Sequence, residues 1–414
     1  MFSDLYPAIF VDSLTGNPPS AFAPRVGTGL INAGGPGSAP AIAAASANAF
    51  KSGFAAGDTL GQLQQAVAPA PFAPPDYFSI PPTVRSPKFL QWSFEMQRQI
   101  GAKNVLALRY NGNHGYHIFM TDQDVNANAD PAFYPNGFAG LPAQTPDPRF
   151  SVVQQLTNNG YTNYHALLVD FRRAFGRGFQ GQISYTWSHA LDTVSNGGVL
   201  PFSYDLGQVN PASLRSLNYS NADYDVRHNL TADFIWEIPL KRKNRFTDAV
   251  FGGWSAGTIL SAHTGTPFSV TNRGTSLSAS FGGAVLADVL DPNVQTVCGH
   301  SAINTPCFTA SQFAPAATQA NFGNLPRNSF RGPGYFNIDS SLFKTVLLRE
   351  RMRLTFGASA YNLLNHPNFA DPNGDISNPG LGLITSSASN PSGPYGLLGN
   401  PSGRALVVTG KLAF

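Results

Sequence analysis

Apolar and polar residues alternate one by one over long stretches of this chain. From Phe89 to Ile100 one face carries Leu90, Trp92, Phe94 and Met96, then Arg98 and Ile100, and the other carries Gln91, Ser93, Glu95, Gln97 and Gln99. From Phe179 to His189, Phe179, Ile183, Tyr185 and Trp187 face one way and Gln180, Gln182, Ser184 and Thr186 the other. From Val226 to Ile238, Leu230, Ala232, Phe234 and Trp236 oppose Arg227, Asn229, Thr231, Asp233 and Glu237, with Ile235 as an exception. The chain ends alike, with Leu406, Val408, Gly410, Leu412 and Phe414 set against Val407, Thr409 and Lys411. Period two is the mark of a strand with two unlike faces.

These runs of roughly 10–13 residues are about twice the usual globular strand. They have about the length a tilted strand needs to cross a bilayer. Less regular strands are expected over 105–111, 164–175, 254–262, 335–347 and 352–363, with a further one over Phe2 to Val11. The connections between them alternate in length. Those at 101–104, 176–178, 239–253 and 348–351 are short, whereas 13–86, 112–163, 190–224, 263–334 and 364–403 are long. Short turns on one rim and long loops on the other are the layout of an outer-membrane barrel. The expectation is therefore an all-β, antiparallel transmembrane β-barrel of about nine or ten long strands, with the C-terminus on the short-turn, periplasmic rim.

The tryptophans and the charges refine that picture. In this register Trp92 and Trp187 fall near the long-loop rim and Trp236 and Trp254 near the short-turn rim, as two interfacial girdles would. Glu95, Asp170, Arg227, Asp233, Glu237 and Arg353 take the polar rows, where a wet lumen tolerates charge. Only 12% of the 414 residues are charged, against 42% hydrophobic and 12% aromatic, and the net charge is +3. A wall whose outer rows face lipid explains this scarcity, and the balance gives no nucleic-acid footprint. Forty-one Gly and 33 Pro imply many turns. No apolar run is long enough for a transmembrane helix, and the opening residues do not read as a secretory signal.

Candidate chemistry is sparse, and neither an enzyme activity nor a cofactor is expected. The two cysteines, Cys298 and Cys307, are read as a disulfide closing a small loop, worth roughly 2–3 kcal/mol. Gly253-Trp-Ser-Ala-Gly257 fits a nucleophile-elbow pattern but opens a strand, not the required strand–turn–helix. Oxygen side chains recur from Asp122 to Asp130, yet Ala127 and Phe133 stand where a calcium loop needs Gly and Glu, so a polar surface loop is expected. His114 and His117 form the closest histidine pair, in a loop. The aromatic and amide-rich loops Tyr134 to Phe138 and Asn158 to Tyr164 are candidates for ligand contact.

Several segments resemble a known family. Asp225-Val-Arg-His-Asn-Leu230, Gly332-Pro-Gly-Tyr-Phe-Asn-Ile-Asp-Ser-Ser-Leu-Phe343, Tyr361-Asn-Leu-Leu-Asn-His-Pro-Asn-Phe369, Tyr185-Thr-Trp-Ser-His-Ala-Leu191 and the terminal Phe414 are similar to the TonB-dependent outer-membrane receptors, specifically the Oar-like group. The resemblance implies a 22-stranded barrel filled by a plug, moving a large solute with energy relayed through TonB. It also implies that Leu406, Val408, Leu412 and Phe414 form the signal read by the barrel-assembly machinery. No plug or TonB box is recognisable, so residues 87–414 are expected to be C-terminal barrel strands, and TonB a partner only through a plug outside this chain. Residues 1–86 are expected to hold one strand and a long Ala/Gly/Pro-rich loop. Two alternatives stay open: a self-contained small pore or adhesin, and a secreted soluble β-sandwich that binds carbohydrate.

Overall fold

The computed structural model describes residues 38–59, 62–63, 77–122, 125–126, 146–147, 150, 153–195, 215–240, 245–273, 285–319, 322–349, 352–388 and 403–414. Nine long strands dominate: β1 (Lys88–Ile100), β2 (Asn104–Asp122), β3 (Val153–Gly176), β4 (Phe179–Asp192), β5 (His228–Glu237), β6 (Trp254–His263), β7 (Tyr335–Arg349), β8 (Met352–Tyr361) and β9 (Ala405–Ala413). Each pairs antiparallel with the next, so the sheet is one up-and-down meander. A short strand, Tyr77–Ser79, adds in parallel to the start of β3, and Ser220–Asn221 adds to the end of β4. Among the described residues β1 and β9 do not pair with each other. The strand expected over Phe2 to Val11 lies outside the described residues.

The turns follow their local chemistry. Arg177 and Gly178 both take positive φ, at 55° and 78°, as a two-residue hairpin between right-twisted strands requires. Gly101, at φ 66°, opens the β1–β2 turn. The β5–β6 connection carries a short helix, Arg245–Phe251, before Gly253 re-enters the sheet at φ 71°.

Pairing carries the alternation across the sheet. Phe94 faces Tyr110, Tyr110 faces Leu167 and Leu167 faces Trp187. One residue along, Glu95 faces Arg109, and further on Asp170 faces Ser184 and Gln182 faces Asp233. One face of the sheet is thus mainly apolar and the other mainly polar, with Leu168, Ile235 and Ile259 as exceptions in the polar rows. Leu90, Trp92 and Phe94 are 55%, 43% and 64% exposed. A β-sandwich would have covered them with a second sheet, so the sandwich alternative is set aside.

Two expectations are corrected. β2 and β3 run well past the predicted 105–111 and 164–175, so His114, His117 and Asn158 to Tyr164 lie on strands rather than in loops. Within the expected loop 13–86 stands a helix, α1 (Ala39–Ala56), whose N-cap Ser38 accepts from the Ala41 amide and whose C-cap Gly57 is left-handed at φ 80°. Its Phe54 meets Phe150 edge-on at 5.3 Å, and Phe150 leans on Tyr77 at 5.1 Å, which joins α1 to the start of β3.

Candidate functional site

The polar face near the short-turn end is a charged wall. Arg109 Nε donates to Glu95 Oε2 at 2.6 Å, and the Ser184 hydroxyl donates to Asp170. Of these, Arg109 and Asp170 border a cavity of about 560 Å³ together with Arg172, Gln182 and Asp233. Glu237 and Arg353 lie on the same face nearer the short-turn rim, opposite Ser255 and Ala413. Arg227 does not join this wall. It precedes β5 at the long-loop rim, where its Nε donates to Asp225 at 3.0 Å.

On the apolar face, Trp92 and Trp187 lie toward the long-loop ends of β1 and β4, whereas Trp236 is the penultimate residue of β5 and Trp254 begins β6. Sequence reasoning missed two partners of the first pair. Tyr110 hydroxyl meets His165 Nδ1 at 2.8 Å and Tyr185 hydroxyl meets His228 Nδ1 at 2.7 Å, so polar ring tips are paired along that row. At the other end Lys344 shares the apolar face but stays hidden, donating to the Gly252 carbonyl at 2.5 Å with its ammonium 5.1 Å from the Trp254 ring. On β9, Leu406, Val408 and Leu412 point to the apolar face, and Phe414, just after the strand, is 87% exposed.

The long connections β6–β7 and β8–β9 fold together into a cap. Phe308, Phe313 and Phe330 from the first pack with Ile376 and Leu381 from the second around one buried core. Cys298 and Cys307 are joined by a disulfide inside it, with Cα atoms 5.6 Å apart. Backbone bonds stitch the two segments, Cys307 N to Gly382 O at 3.0 Å and Ile384 N to Ala302 O at 2.9 Å. A Cβ on Gly382 would lie 2.4 Å from the Phe308 carbonyl, so only glycine permits this approach.

Buried ion pairs fix the cap to the rim. Arg327 pairs with Asp192 at the end of β4, and also donates to the Asp192 carbonyl at 2.7 Å and the Asn218 carbonyl at 2.7 Å. Burial pulls its guanidinium down to about 10, which still leaves it charged at neutral pH. Arg331 pairs with the buried Asp225, whose Oδ1 accepts from the Ala190 amide at 2.6 Å. Asn328 donates to the Asn221 carbonyl at 2.9 Å. Asp192 lies opposite Thr162, in the polar-face row, so the cap seats on that side of the rim.

The structure also shows what the motif residues do. Asp339 accepts from the Asn362 amide at 2.8 Å, and Asn368 exchanges two bonds with the Phe336 backbone at 2.8 and 2.9 Å. The stretches 332–343 and 361–369 thereby clip to each other at the long-loop end of β7 and β8. Gly253 to Gly257 enters β6 as plain strand. Of the run Asp122 to Asp130, Asn126 is a loop anchor, its amide donating to the Asp147 and Phe150 carbonyls at 3.0 and 3.1 Å. No group of three or more metal-ligating side chains occurs among the described residues. Tyr134 to Phe138 lies outside them. The basic run Lys241-Arg-Lys-Asn-Arg245, which charge totals conceal, falls on the β5–β6 connection.

Residues 6–397 match the family model described as "Outer membrane beta barrel domain". Among solved structures the chain is similar to the outer membrane transporter YddB from Escherichia coli, at 11% identity and TM-score 0.41, over 86% of this chain and 36% of that one. It is similar to the FrpB iron transporter from Neisseria meningitidis at 12% identity and TM-score 0.37, over 81% and 32%. For the copper transporter OprC the figures are 9%, 0.33, 75% and 32%. The chain spans about a third of the length of these structures. No curated protein matches it.

Proposed function

We propose, for a chain that belongs to the outer membrane beta barrel domain family, that it forms part of the wall and the extracellular cap of a TonB-dependent receptor of the Oar-like type. As a member of that family it resides in the cell outer membrane and is not an enzyme. The reading is carried by one observation. A single sheet sets an apolar face against a charged one, and a folded cap is seated on the charged side of its long-loop rim. In lipid every backbone polar group must pair, so the edges of β1 and β9, which have no further strand beside them among the described residues, call for neighbours that close the wall. A charged lumen under a folded cap suits passage of a large polar solute admitted from outside.

In this account Glu95, Asp170, Asp233, Glu237 and Arg353 line the lumen and Arg227 its mouth. The Trp92/Trp187 and Trp236/Trp254 pairs mark the two membrane interfaces. Leu406, Val408, Leu412 and Phe414 are read by the barrel-assembly machinery, and TonB acts through a plug held inside the closed wall. Residues 87–414 form the barrel portion in this scheme, and the cap supplies ligand-contacting loops.

The test is the native size of the polypeptide. An antibody raised to 364–403 is used to blot outer membranes of the source organism, boiled and unboiled. The proposal expects a band far above the 44.1 kDa of this chain. A heat-modifiable band at that mass would replace it with a self-contained pore or adhesin.

A further inference from the structure

A second cavity, of about 640 Å³, lies where β2 and β3 rise beyond the belt of Trp187 and Tyr110. Register fixes its side of the sheet. His114 and Tyr116 share parity with Leu108 and Tyr110, and Tyr161 and Asn163 with Leu167 and Val169, so these four side chains extend the apolar face. His114 stands four residues above Tyr110 and Tyr116 six, which is roughly 13–20 Å along the strand, or about 9–14 Å in height at a tilt of ~45°. That is the headgroup layer of the outer leaflet, not the lumen.

The lining mixes aromatic rings with amide, imidazole and guanidinium groups and carries no carboxylate among the described residues. Arg215 lies 4.3 Å over the Tyr161 ring and donates through Nε to the Tyr161 hydroxyl at 2.5 Å. Both terminal nitrogens of its guanidinium remain without a partner among the described residues, held in the fork that binds a phosphate through two oxygens. Asn163 is set by His114 at 2.7 Å on one side and by the Tyr219 hydroxyl on the other, at 2.5 Å. His117 sits at a register shift in β2 with φ 56°, a conformation that non-glycine residues seldom take outside special sites, and its buried Nδ1 has no partner among the described residues.

We infer that this cavity binds a phosphorylated sugar, with Arg215 on the phosphate and Asn163 and His117 on sugar hydroxyls. A membrane glycolipid headgroup and a free sugar phosphate share this chemistry. The inference rests on the apolar face being the lipid face, which the quenching scan at the end of the Discussion tests separately.

The experiment uses the full chain extracted in detergent, with native mass spectrometry and competition. The probes are bisphosphorylated lipid A, phosphatidylglycerol and glucosamine 6-phosphate. Lipid A is expected to bind at least about tenfold tighter than phosphatidylglycerol, and Arg215→Gln to remove that margin. Tyr219→Phe, which keeps the ring and frees Asn163, is expected to weaken lipid A several-fold, and serves if Arg215→Gln loses heat-modifiable mobility. Competition by glucosamine 6-phosphate at similar affinity assigns a soluble sugar phosphate. Failure to compete, with lipid A binding intact, assigns the glycolipid. Equal binding of phosphatidylglycerol and lipid A, or unchanged lipid A binding in both variants, overturns the inference.

Discussion

Arg327 and Asp192, 135 residues apart in sequence, form a buried ion pair that joins the cap to the end of β4. The guanidinium spends its other donors on the Asp192 and Asn218 carbonyls and the Ser195 hydroxyl. A charge this well enclosed is stable only while each of its partners remains.

Arg327→Met should therefore loosen the cap and leave the wall intact. Removing one member of a buried pair costs about 3–5 kcal/mol. Hydrogen exchange in detergent-extracted protein should show 285–319 losing protection while β3 and β4 keep theirs. Equal protection in both segments would show that the pair does not hold the cap.

Cys298→Ser with Cys307→Ser should weaken the cap by roughly 2–3 kcal/mol, because the bridge constrains the unfolded loop. Trypsin is expected to cut near Arg327 and Arg331 sooner, with or without reductant. The heat-modifiable mobility of the barrel should not change, since no strand of the wall carries a cysteine.

Gly178→Val should impair insertion of the β4 edge. The residue stands at φ 78°, and a Cβ there would lie 2.4 Å from the Glu237 carbonyl. Both the turn and the start of the β4–β5 pairing are lost together, so the yield of folded barrel in outer membranes should fall. Arg177→Gly, in the same turn, should be tolerated, since glycine adopts positive φ without strain.

Asp291 gives the cap an acid limit. The Gln312 amide at 3.0 Å and the Asn293 backbone at 2.9 Å hold its carboxyl below the usual range. A lowered carboxyl favours folding above its unfolded value and loses that contribution as pH falls through the folded one. Amide protection around Leu290 to Asn293, corrected for the intrinsic exchange rate, should fall on acidification below about pH 4, and Asp291→Asn should remove that step.

The wall was legible in the sequence because lipid imposes a rule on every second residue. Phe179 to Trp187 displays it without interruption, and Leu406 to Phe414 with Val407 and Ala413 as exceptions in the polar row. Above the hydrocarbon layer neither face meets lipid tails, so the alternation fades around His114 to His117 and Asn158 to Tyr164, and the upper parts of β2 and β3 read as loop. Helix α1 carried its own signals, Ser38 with Pro40 at the start and Gly57 at the end, inside a stretch whose alanine, glycine and proline suggested a loop. The cap was illegible for another reason. Phe308, Phe313, Phe330 and Leu381 follow no period and meet only in the folded chain. Cys298 and Cys307 alone marked the place. Arg327 could not have been told from any other loop arginine, since its partner lies on a distant strand.

The central claim is that alternate residues of one sheet face lipid and water. Single cysteines at 106 to 111 on β2, labelled with a fluorophore in native outer membranes, test it most directly. Lipid-borne quenchers should act at 106, 108 and 110, and water-soluble ones at 107, 109 and 111. Quenching that does not alternate, or that alternates in the opposite phase, would contradict the account.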